Sequence, residues 1–385
     1  MRKRADAVVI GGGIHGCSVA YHLAKKGMGD VVLVEKDYLA ACGTGRSAAG
    51  IRHQFGTEVN VRLSAASLAM METLSEDLDY AHGIELLQKG YLMLAYGRPE
   101  LETFTRNVAL QHRIIADCKT VMMTPEQIHE LNPHLNLDGV LGGSFNPRDG
   151  HASPWHTTQA FAEAAARLGV EINTRTEVTG IRLDGDRVGG VVTTRGEILT
   201  DTVVDCAGPF GAVVSRMAGV DLPLTPQRHQ ILVTEPVAEV VPMMVISYTH
   251  GTYFKQTPHG SILMGYGDPA HEVIGLEQDA SWQFLVEVAR KITYHMPILE
   301  NVRVVRQWAG LYDMTPDSQA ILGGVPEVRG FYLDVGWSGH GFMLGPIAGK
   351  VLSEIIVGEE PTVDVDDFRY ARFAENDLCP EPACV

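Results

Sequence analysis

Two short apolar runs frame a glycine-rich segment at the start of the chain. Ala7–Ile10 and Val31–Val34 are continuous apolar runs, which are typical of strands buried on both faces of a parallel sheet. Between them, residues 11–16 spell "GGGIHG" and lead into a segment that we expect to be helical. Strand, glycine turn, helix and second strand together predict the opening of an α/β sheet.

A later segment alternates apolar and polar residues with the period of a strand. Residues 177–198 turn at Asp-Gly and Arg-Gly pairs (184–185 and 195–196), which predicts a small antiparallel meander. The apolar run 202–206 follows, stops at Gly208, and is expected to return to the main sheet.

The C-terminal region repeats the order of strand, glycine turn and helix. We expect a strand over 331–335, a tight turn over 336–341 and an amphipathic helix over 342–356. This helix start would point a second positive dipole end into the same cleft as the first. Farther upstream, "TPEQ" (124–127) has the composition of a helix N-terminus with a capping box.

The first glycine segment has the spacing of a dinucleotide fingerprint. Gly11, Gly13 and Gly16 satisfy G-x-G-x-x-G, which allows a tight turn, close approach to a pyrophosphate and close packing of helix on strand. Glu35 ends the second strand, where an acid accepts hydrogen bonds from a ribose. Because no arginine follows Glu35, a 2′-phosphate is not expected.

Composition narrows the choice of partner. The chain has 385 residues and a net charge of −16, which disfavours non-specific binding to nucleic acid or anionic lipid. No apolar run approaches the ~18–20 residues of a membrane span, so a cytoplasmic location is predicted.

Six scattered cysteines do not form a disulfide or metal pattern, and Cys379 and Cys384 are interpreted as free thiols in a loosely held or partner-docked tail. No metal site is predicted.

After Glu35 the chain does not continue as a nicotinamide dehydrogenase would. A small-residue segment, "ACGTGRSAAGIRHQFG" (41–56), can lie flat against a large planar cofactor. With "TDTVVDCAG" (200–208), "LYDMTPDSQAILG" (311–323) and "GWSGHGF" (336–342), the sequence resembles the glycine oxidase and sarcosine oxidase branch of the D-amino acid oxidase superfamily. It is most similar to the catalytic β subunits of hetero-oligomeric sarcosine oxidase, dye-linked L-proline dehydrogenase and opine oxidases, and the likeness runs from Gly11 to about Asp366.

The resemblance implies a fold and a division of the chain. The fold would be an α/β, Rossmann-like FAD-binding domain with an inserted α+β substrate domain built mainly on an antiparallel sheet. The FAD-binding domain would take residues 1–85, 140–220 and 325–370. The substrate domain would take 86–139 and 221–324, with a tail over 371–385.

The resemblance also implies FAD and the residues that bind it. Gly310 stands where related oxidases attach the flavin to cysteine, and 46–49 lacks the histidine that other relatives use, so FAD would be non-covalent. An FMN at an interface with an α subunit is a further expectation. Pro154 stands at the attachment position of that FMN, between His151 and His156, which speaks against a covalent link. The expected FAD-binding residues are Gly11, Gly13, Ile14, His15, Gly16, Glu35, Lys36, Thr44, Arg46, Ser47, Gly50, Ile51, Val178, Ala207, Gly208, Gly310, Tyr312, Gly339, Gly341, Phe342 and Met343.

Four residues are the catalytic candidates. Arg52, in "RHQFG", matches a family arginine and would clamp a substrate carboxylate. Tyr253 would line the pocket, and Lys255 shares its strand face and could supply the cation that Met343 lacks. His340 lies in the turn that meets the flavin. His53 and His229 are weaker candidates, and no residue is required as a general base, since binding could lower the pKa of the amine.

Three functions remain open. The first is FAD-dependent oxidation of a secondary amine or amino acid, alone or as a β subunit. Leu263 replaces a family lysine that speeds reaction with oxygen, which favours a dehydrogenase with another electron acceptor. The second function is oxidation of a hydroxy acid such as 2-hydroxyglutarate, and the third is a non-catalytic, flavin-holding partner subunit.

Overall fold

The computed structural model describes residues 1–267 and 272–382. Its helices are α1 (Ile14–Lys25), α2 (Glu58–Asp77), α3 (Arg98–Ile114), α4 (Pro125–Leu131), α5 (Pro154–Arg167), α6 (Gly211–Met217), α7 (Trp282–His295), α8 (Gly341–Val357) and α9 (Arg372–Glu375). Short 3-10 helices span Gly208–Phe210, Pro297–Leu299 and Asp366–Phe368. The strands are β1 (Ala7–Ile10), β2 (Val31–Val34), β3 (Gly50–Ile51), β4 (Tyr91–Ala95), β5 (Val121–Met123), β6 (Gly142–Asn146), β7 (Gly150–His151), β8 (Glu171–Asn173), β9 (Val178–Asp184), β10 (Arg187–Thr193), β11 (Gly196–Ile198), β12 (Val203–Asp205), β13 (Thr225–Thr234), β14 (Met244–Ser247), β15 (Thr252–Gln256), β16 (Ile262–Tyr266), β17 (Val304–Met314), β18 (Ile321–Gly324) and β19 (Phe331–Val335).

The two N-terminal apolar runs lie at the centre of a six-stranded sheet. Its order is β18-β19-β12-β1-β2-β8, and every pair is parallel except the edge pair β18–β19. One face is covered by α1, which packs against α5 and α8. The other face carries α6 and the predicted meander β9–β11. Because both faces of the sheet are covered, every side chain of β1 and β2 is buried, and all of them can be apolar. The predicted Rossmann-like domain is confirmed.

A second sheet, of eight strands, lies over the glycine-rich segments that follow β1 and β19 of the six-stranded sheet. Its order is β17-β13-β16-β15-β14-β4-β6-β5, with antiparallel pairing throughout except between β14 and β4. One face packs on α7 and α4 around Phe254 and Met264. The opposite face presents Tyr91, Met244 and Tyr253 toward the first sheet. Lys255 follows Tyr253 by two residues on this face, as the alternation predicted.

Two strands fall outside the predicted domain boundaries. β6 starts at Gly142 and pairs with β4 in the eight-stranded sheet, although residue 140 was expected to begin a segment of the FAD-binding domain. β18 starts at Ile321 and pairs with β19 in the six-stranded sheet, although 325 was the expected boundary. The division of the chain into a cofactor domain and a substrate domain stays a proposal.

The expectation of a loosely held tail is wrong for residues 371–382. Arg372 is completely buried, and its guanidinium binds the carboxylate of Asp317 at 2.9 and 3.0 Å. Glu381 accepts hydrogen bonds from the backbone N–H of Gly56 and from the hydroxyl of Thr57, at 2.9 and 2.8 Å. Charged groups of the tail therefore find buried partners in the body of the protein. Cys384 lies outside the described residues.

Local signals at the helix starts are confirmed. Thr124 accepts a hydrogen bond from the Gln127 backbone, and the Gln127 side chain accepts one from the Thr124 backbone, which completes the predicted capping box of α4. Within the described ranges, no helix combines the length and apolarity that crossing a membrane requires.

Candidate active site

The glycine fingerprint brings backbone atoms too close for any larger residue. A Cβ atom on Gly11 would lie 2.4 Å from the Cys206 carbonyl oxygen, and Gly11 has a φ of +113°. A Cβ on Gly16 would lie 1.9 Å from the Gly11 carbonyl oxygen. Glycine at position 11 therefore allows the tight turn, and glycine at position 16 allows α1 to pack closely against β1.

The N-terminus of α1 lines a cleft, where Thr44 Oγ1 accepts a hydrogen bond from Ile14 N at 3.2 Å. Gly13 caps this helix without a side chain, and no acidic residue occupies its first turn. Glu35 lies beside it, and its carboxylate accepts hydrogen bonds from Gly12 N and Asp37 N, both at 2.7 Å. The arrangement offers backbone N–H donors and a positive dipole end to an anion, with a fixed carboxylate at one side.

An elongated cleft runs from this helix start to the N-terminus of α8. It holds about 1500 Å³, including the part open to solvent. Cys42 and Cys206 line it as well, and sequence reasoning did not select them. Of the expected cofactor residues, the cleft is lined by Gly11, Gly13, Ile14, His15, Glu35, Lys36, Thr44, Arg46, Ser47, Val178, Ala207, Gly208, Tyr312, Gly339, Gly341 and Phe342.

A second cavity of about 800 Å³ adjoins the cleft beneath the eight-stranded sheet. Tyr312, Gly339 and Phe342 line both spaces, so the two share part of their walls. Gly50, Gly310 and Met343 line the second cavity only, whereas Gly16 and Ile51 line neither space. Three of the four catalytic candidates, Arg52, Tyr253 and His340, meet in this cavity.

Arg52 is a buried cation held by its own turn. Its Nη1 donates to the Gln54 carbonyl at 2.5 Å, and its guanidinium lies 4.1 Å from the centre of the Phe55 ring. The fully buried Asp149 ties down this turn. It accepts from the His53 backbone N–H at 2.9 Å and from the Gln54 amide at 3.0 Å, and its carboxylate lies 2.7 Å from His53 Nδ1. His53 is therefore a support for Arg52.

His340 remains neutral at neutral pH. Burial, and to a lesser extent the neighbouring Arg52 guanidinium, lower the pKa of His340 to about 3. Its ring stands edge-on to Phe55, with centroids 5.5 Å apart. An imidazole with this pKa contributes shape and hydrogen bonding, and it is a poor acceptor for a proton.

Tyr253 fits over a glycine of the neighbouring strand. A Cβ atom on Gly265 would lie 2.2 Å from the Tyr253 hydroxyl oxygen, so the phenol occupies the space that Gly265 leaves. That hydroxyl lies 2.9 Å from His229 Nε2, and burial raises the pKa of Tyr253 well above its usual range. The His229 ring stacks on Tyr312 with centroids 4.5 Å apart.

His229 was one of the two weaker candidates, and the structure brings it against Tyr253. It lies on β13 directly opposite Gly310 of β17, and it lines the second cavity. Its partners come from β15 and β17, far away in sequence, so their approach was not visible in any local motif.

Lys255 lines neither cavity. The residue is 4% exposed, and burial lowers the pKa of its ammonium to about 7, against a smaller attraction from Glu85. Its cross-strand neighbour on β16 is Leu263. The expected role of Lys255 as a second carboxylate clamp therefore lacks the contact with the cavity that Arg52 has.

The start of α8 closes the cleft at its far end. His15 Nε2 lies 3.0 Å from the Gly341 carbonyl oxygen, and His15 Nδ1 lies 2.8 Å from the Asp334 carboxylate. The His15 ring also stacks on Trp337 at 4.8 Å. No side chain caps α8 at its His340 N-cap, and its first turn has no acidic residue. Two helix starts whose N-cap residues make no side-chain cap thus face one cleft, which suits a ligand with a phosphate at one end and an electron-rich ring at the other.

Comparison with known proteins gives one family. The family model described as "DAO: FAD dependent oxidoreductase" matches residues 6–355. Sarcosine oxidase subunit beta of Arthrobacter sp is 32% identical over 386 residues, covering 99% of this chain and 94% of its own. Human mitochondrial sarcosine dehydrogenase is 31% identical over 96% of this chain, which spans 41% of that longer protein.

A solved structure shares the whole fold. L-proline dehydrogenase from P. horikoshii superimposes with a TM-score of 0.92 at 35% identity, covering 98% of this chain and 100% of the other.

Proposed function

Because the chain belongs to the DAO family of FAD dependent oxidoreductases, we propose that it oxidises the C–N bond of a secondary amine or amino acid. The observation that carries this proposal is the buried guanidinium of Arg52 in a cavity that shares part of its wall with the dinucleotide cleft. A buried cation there suits the carboxylate of an amino acid. The named relatives act on sarcosine or L-proline, which are secondary amino acids.

The chain's own residues fit FAD. The Gly11–Gly16 cradle and the start of α1 would hold the pyrophosphate, and Glu35 would hold the ribose. The flavin ring would lie where the two spaces adjoin. It would be surrounded there by Arg46, Tyr312 and the Gly339–Phe342 turn. When bound, FAD supplies the acceptor for a hydride from the carbon next to nitrogen.

The second cavity would bind and orient the substrate. Arg52 would hold the carboxylate in a bidentate pair, since its guanidinium is fixed by Gln54 and Phe55. Tyr91, Met244 and Ile246 form an apolar wall that would exclude water from the reacting carbon. Tyr253 offers a hydroxyl inside that wall.

Anaerobic bleaching of the bound flavin tests the proposal. The purified protein would be mixed without oxygen with sarcosine, L- and D-proline, hydroxyproline isomers, N-methyl amino acids, opines and 2-hydroxyglutarate. Bleaching by one of the amines supports the proposal and identifies the substrate. Bleaching only by 2-hydroxyglutarate supports the hydroxy acid alternative, and bleaching by none supports a flavin-holding subunit.

We expect FAD to be bound without a covalent link. Gly310 lies in the cavity wall against Arg46, where it offers no side chain for attachment. Burial raises the pKa of both cleft thiols, Cys42 and Cys206, which disfavours the thiolate that attachment would use. Acid precipitation should therefore release all the flavin into the supernatant, and a yellow pellet would contradict the expectation.

A partner subunit is a further part of the proposal. Sarcosine oxidase subunit beta matches this chain over nearly its whole length, which supports a role as a β subunit in the cytoplasm beside an α subunit. FMN would then lie at the interface, near Pro154. Purification from the native source would show a second polypeptide and FMN in the extract, whereas a single chain holding FAD alone would contradict this part.

A further inference from the structure

The side chain of His15 lies between two oxygen atoms that accept hydrogen bonds and cannot donate them. Its Nδ1 lies 2.8 Å from the Asp334 carboxylate, and its Nε2 lies 3.0 Å from the Gly341 carbonyl oxygen. A neutral imidazole has a proton on one nitrogen and a lone pair on the other. Either neutral tautomer would therefore place a nitrogen lone pair against an oxygen lone pair, whereas an imidazolium has an N–H group on both sides.

The surroundings of Asp334 favour the charged form of His15. The Trp337 indole N–H donates to Asp334 Oδ1 at 2.8 Å, and the Asp334 side chain is completely buried. Burial by itself would lower the pKa of His15. The adjacent charge of Asp334 and, to a smaller extent, Asp313 and the Gly341 carbonyl outweigh burial, so the pKa of His15 is raised.

The other titratable groups that face His15 come from three different elements. Asp334 lies on β19, Asp313 lies on β17, and His340 is the N-cap residue of α8. Burial raises the pKa of Asp313, while the Gly336 N–H donates to its carboxylate at 2.7 Å. Since His340 is neutral at neutral pH, His15 is the cation of this group.

The position of this cation is the opposite of what helices favour. His15 lies in the first turn of α1, and its Nε2 contacts Gly341, the first residue of α8. The imidazolium is therefore near the positive ends of two helix dipoles, where a cation is unfavourable. Residues that break a local rule in this way are expected at functional sites. His15 also lines the dinucleotide cleft, with 12% of its side chain exposed.

We propose that His15 is a cation built into the wall of the FAD cleft and that its charge raises the reduction potential of bound FAD. Two electrons and one proton added to a neutral flavin leave one negative charge on it. A positive charge fixed in the wall of the cleft stabilises that added charge, because it needs no reorganisation when the charge appears. The inference rests on FAD binding and does not depend on which substrate is oxidised.

Nitrogen NMR of the FAD-loaded protein, labelled with [15N]histidine, tests the charge of His15. The signals of His15 are those that disappear in His15→Gln. At about pH 7.5, one unit above the pKa of free histidine, we expect both ring nitrogens of His15 to be N–H groups. In Asp334→Asn, the change to neutral imidazole should occur at lower pH. A neutral His15 in the wild type at pH 7.5 would overturn the proposal.

The midpoint potential of bound FAD tests the effect of the charge, and its measurement needs no substrate. Wild type and His15→Gln would be reduced chemically without oxygen beside a reference dye. In His15→Gln we expect reduced FAD to bind about tenfold less tightly relative to oxidised FAD, which for a two-electron couple lowers the potential by about 30 mV. His15→Lys keeps a cation and should restore most of the difference.

A second buried histidine of α1 provides the matched control. Burial lowers the pKa of His22 to about 3, so His22 is neutral and His22→Gln should keep the wild-type potential. An unchanged potential in His15→Gln, or an equal fall in both variants, would overturn the proposal. If His15→Gln fails to retain FAD, a wild-type potential in His15→Lys supports the role of the charge, and loss of FAD from His15→Lys as well would overturn it. The proposed function is tested separately, by bleaching with an amine.

Discussion

At the scale of single residues, the site depends on how Arg52 is kept charged and fixed inside the protein. The guanidinium has the Gln54 carbonyl and the Phe55 ring against it, and Asp149 holds the same turn through His53 and Gln54. A buried cation with such support is ready for a carboxylate, because little of its side-chain freedom remains to be lost on binding.

Replacing Arg52 by alanine should weaken substrate binding while FAD stays bound. A charge-assisted, bidentate contact contributes about 1.5–3 kcal/mol or more, so KM for the carboxylated substrate should rise at least about 10–100-fold. Steady-state kinetics and the flavin absorbance of the purified variant would measure both effects. Arg62→Ala, an exposed change on α2, should leave KM unaltered. An unchanged KM in Arg52→Ala would contradict the clamp.

A site residue can be proposed from the sequence when the groups that it contacts lie close to it in the chain. The fingerprint glycines and Glu35 act within one strand–helix–strand unit, so spacing alone locates them. His229 depends on Tyr253 and Gly310 from two other strands, and Lys255 depends on which part of a strand the cavity reaches. No local pattern contains that information.

At the scale of elements, the pair β15–β16 places an ammonium opposite an apolar side chain. Lys255 and Leu263 are directly opposed, so both project from the same face of the sheet. Leu263 was interpreted as the loss of a cation near the flavin. The buried amine of Lys255 on β15 lies one strand away, so a titratable group remains beside that position.

Burial of Lys255 should cost stability at low pH. Burial lowers the pKa of Lys255 from 10.5 to about 7, so between these values the unfolded chain binds one more proton and stability rises with pH. Below about pH 7 the full cost, up to about 5 kcal/mol, is present. Lys255→Met should raise the melting temperature of the FAD-loaded protein at pH 6 and much less at pH 10. An equal rise at both pH values would contradict the burial of a titrating ammonium.

Moving the lysine from position 255 to position 263 tests the prediction that the protein passes electrons to an acceptor other than oxygen. Leu263→Lys alone would oppose two ammonium groups and should destabilise the sheet. The double variant Leu263→Lys with Lys255→Leu keeps one charge, and we expect its reduced flavin to be reoxidised by oxygen faster than that of the wild type. The rate of colour recovery in air measures this. No increase would count against the view that Leu263 makes the protein a dehydrogenase.

Elements with one dominant signal were predicted closely. β1, β19 and the capping box of α4 have the expected positions, because buried apolar runs and caps act locally. The sequence does not show which sheet β6 and β18 join, since pairing partners are chosen by tertiary contacts over long stretches of chain.

At the scale of the whole molecule, the C-terminal segment completes a helix that begins near Arg52. Glu381 accepts from Gly56, from Thr57 and from the Asn60 amide at the start of α2. The carboxylate therefore satisfies donors that α2 cannot satisfy itself, and its charge lies at the positive end of the helix.

Glu381→Ala should destabilise the protein and loosen the clamp turn. Loss of a capping carboxylate costs about 0.5–2 kcal/mol, and KM should rise because Gly56 adjoins the Arg52 turn. Thermal melting and steady-state kinetics would show the two effects together. Glu375→Ala, exposed on α9, is the matched control. A change in stability with no change in KM would separate the tail from the clamp.

The same contact has a consequence for how the protein is made. Gly56 and Glu381 are 325 residues apart, so a ribosome adding about 5–20 residues per second needs about 16–65 s between them. During that interval the start of α2 has no carboxylate over it, and its N–H groups are exposed to water or to chaperones. The carboxylate that completes the start of α2 therefore arrives only after more than three hundred further residues have been synthesised.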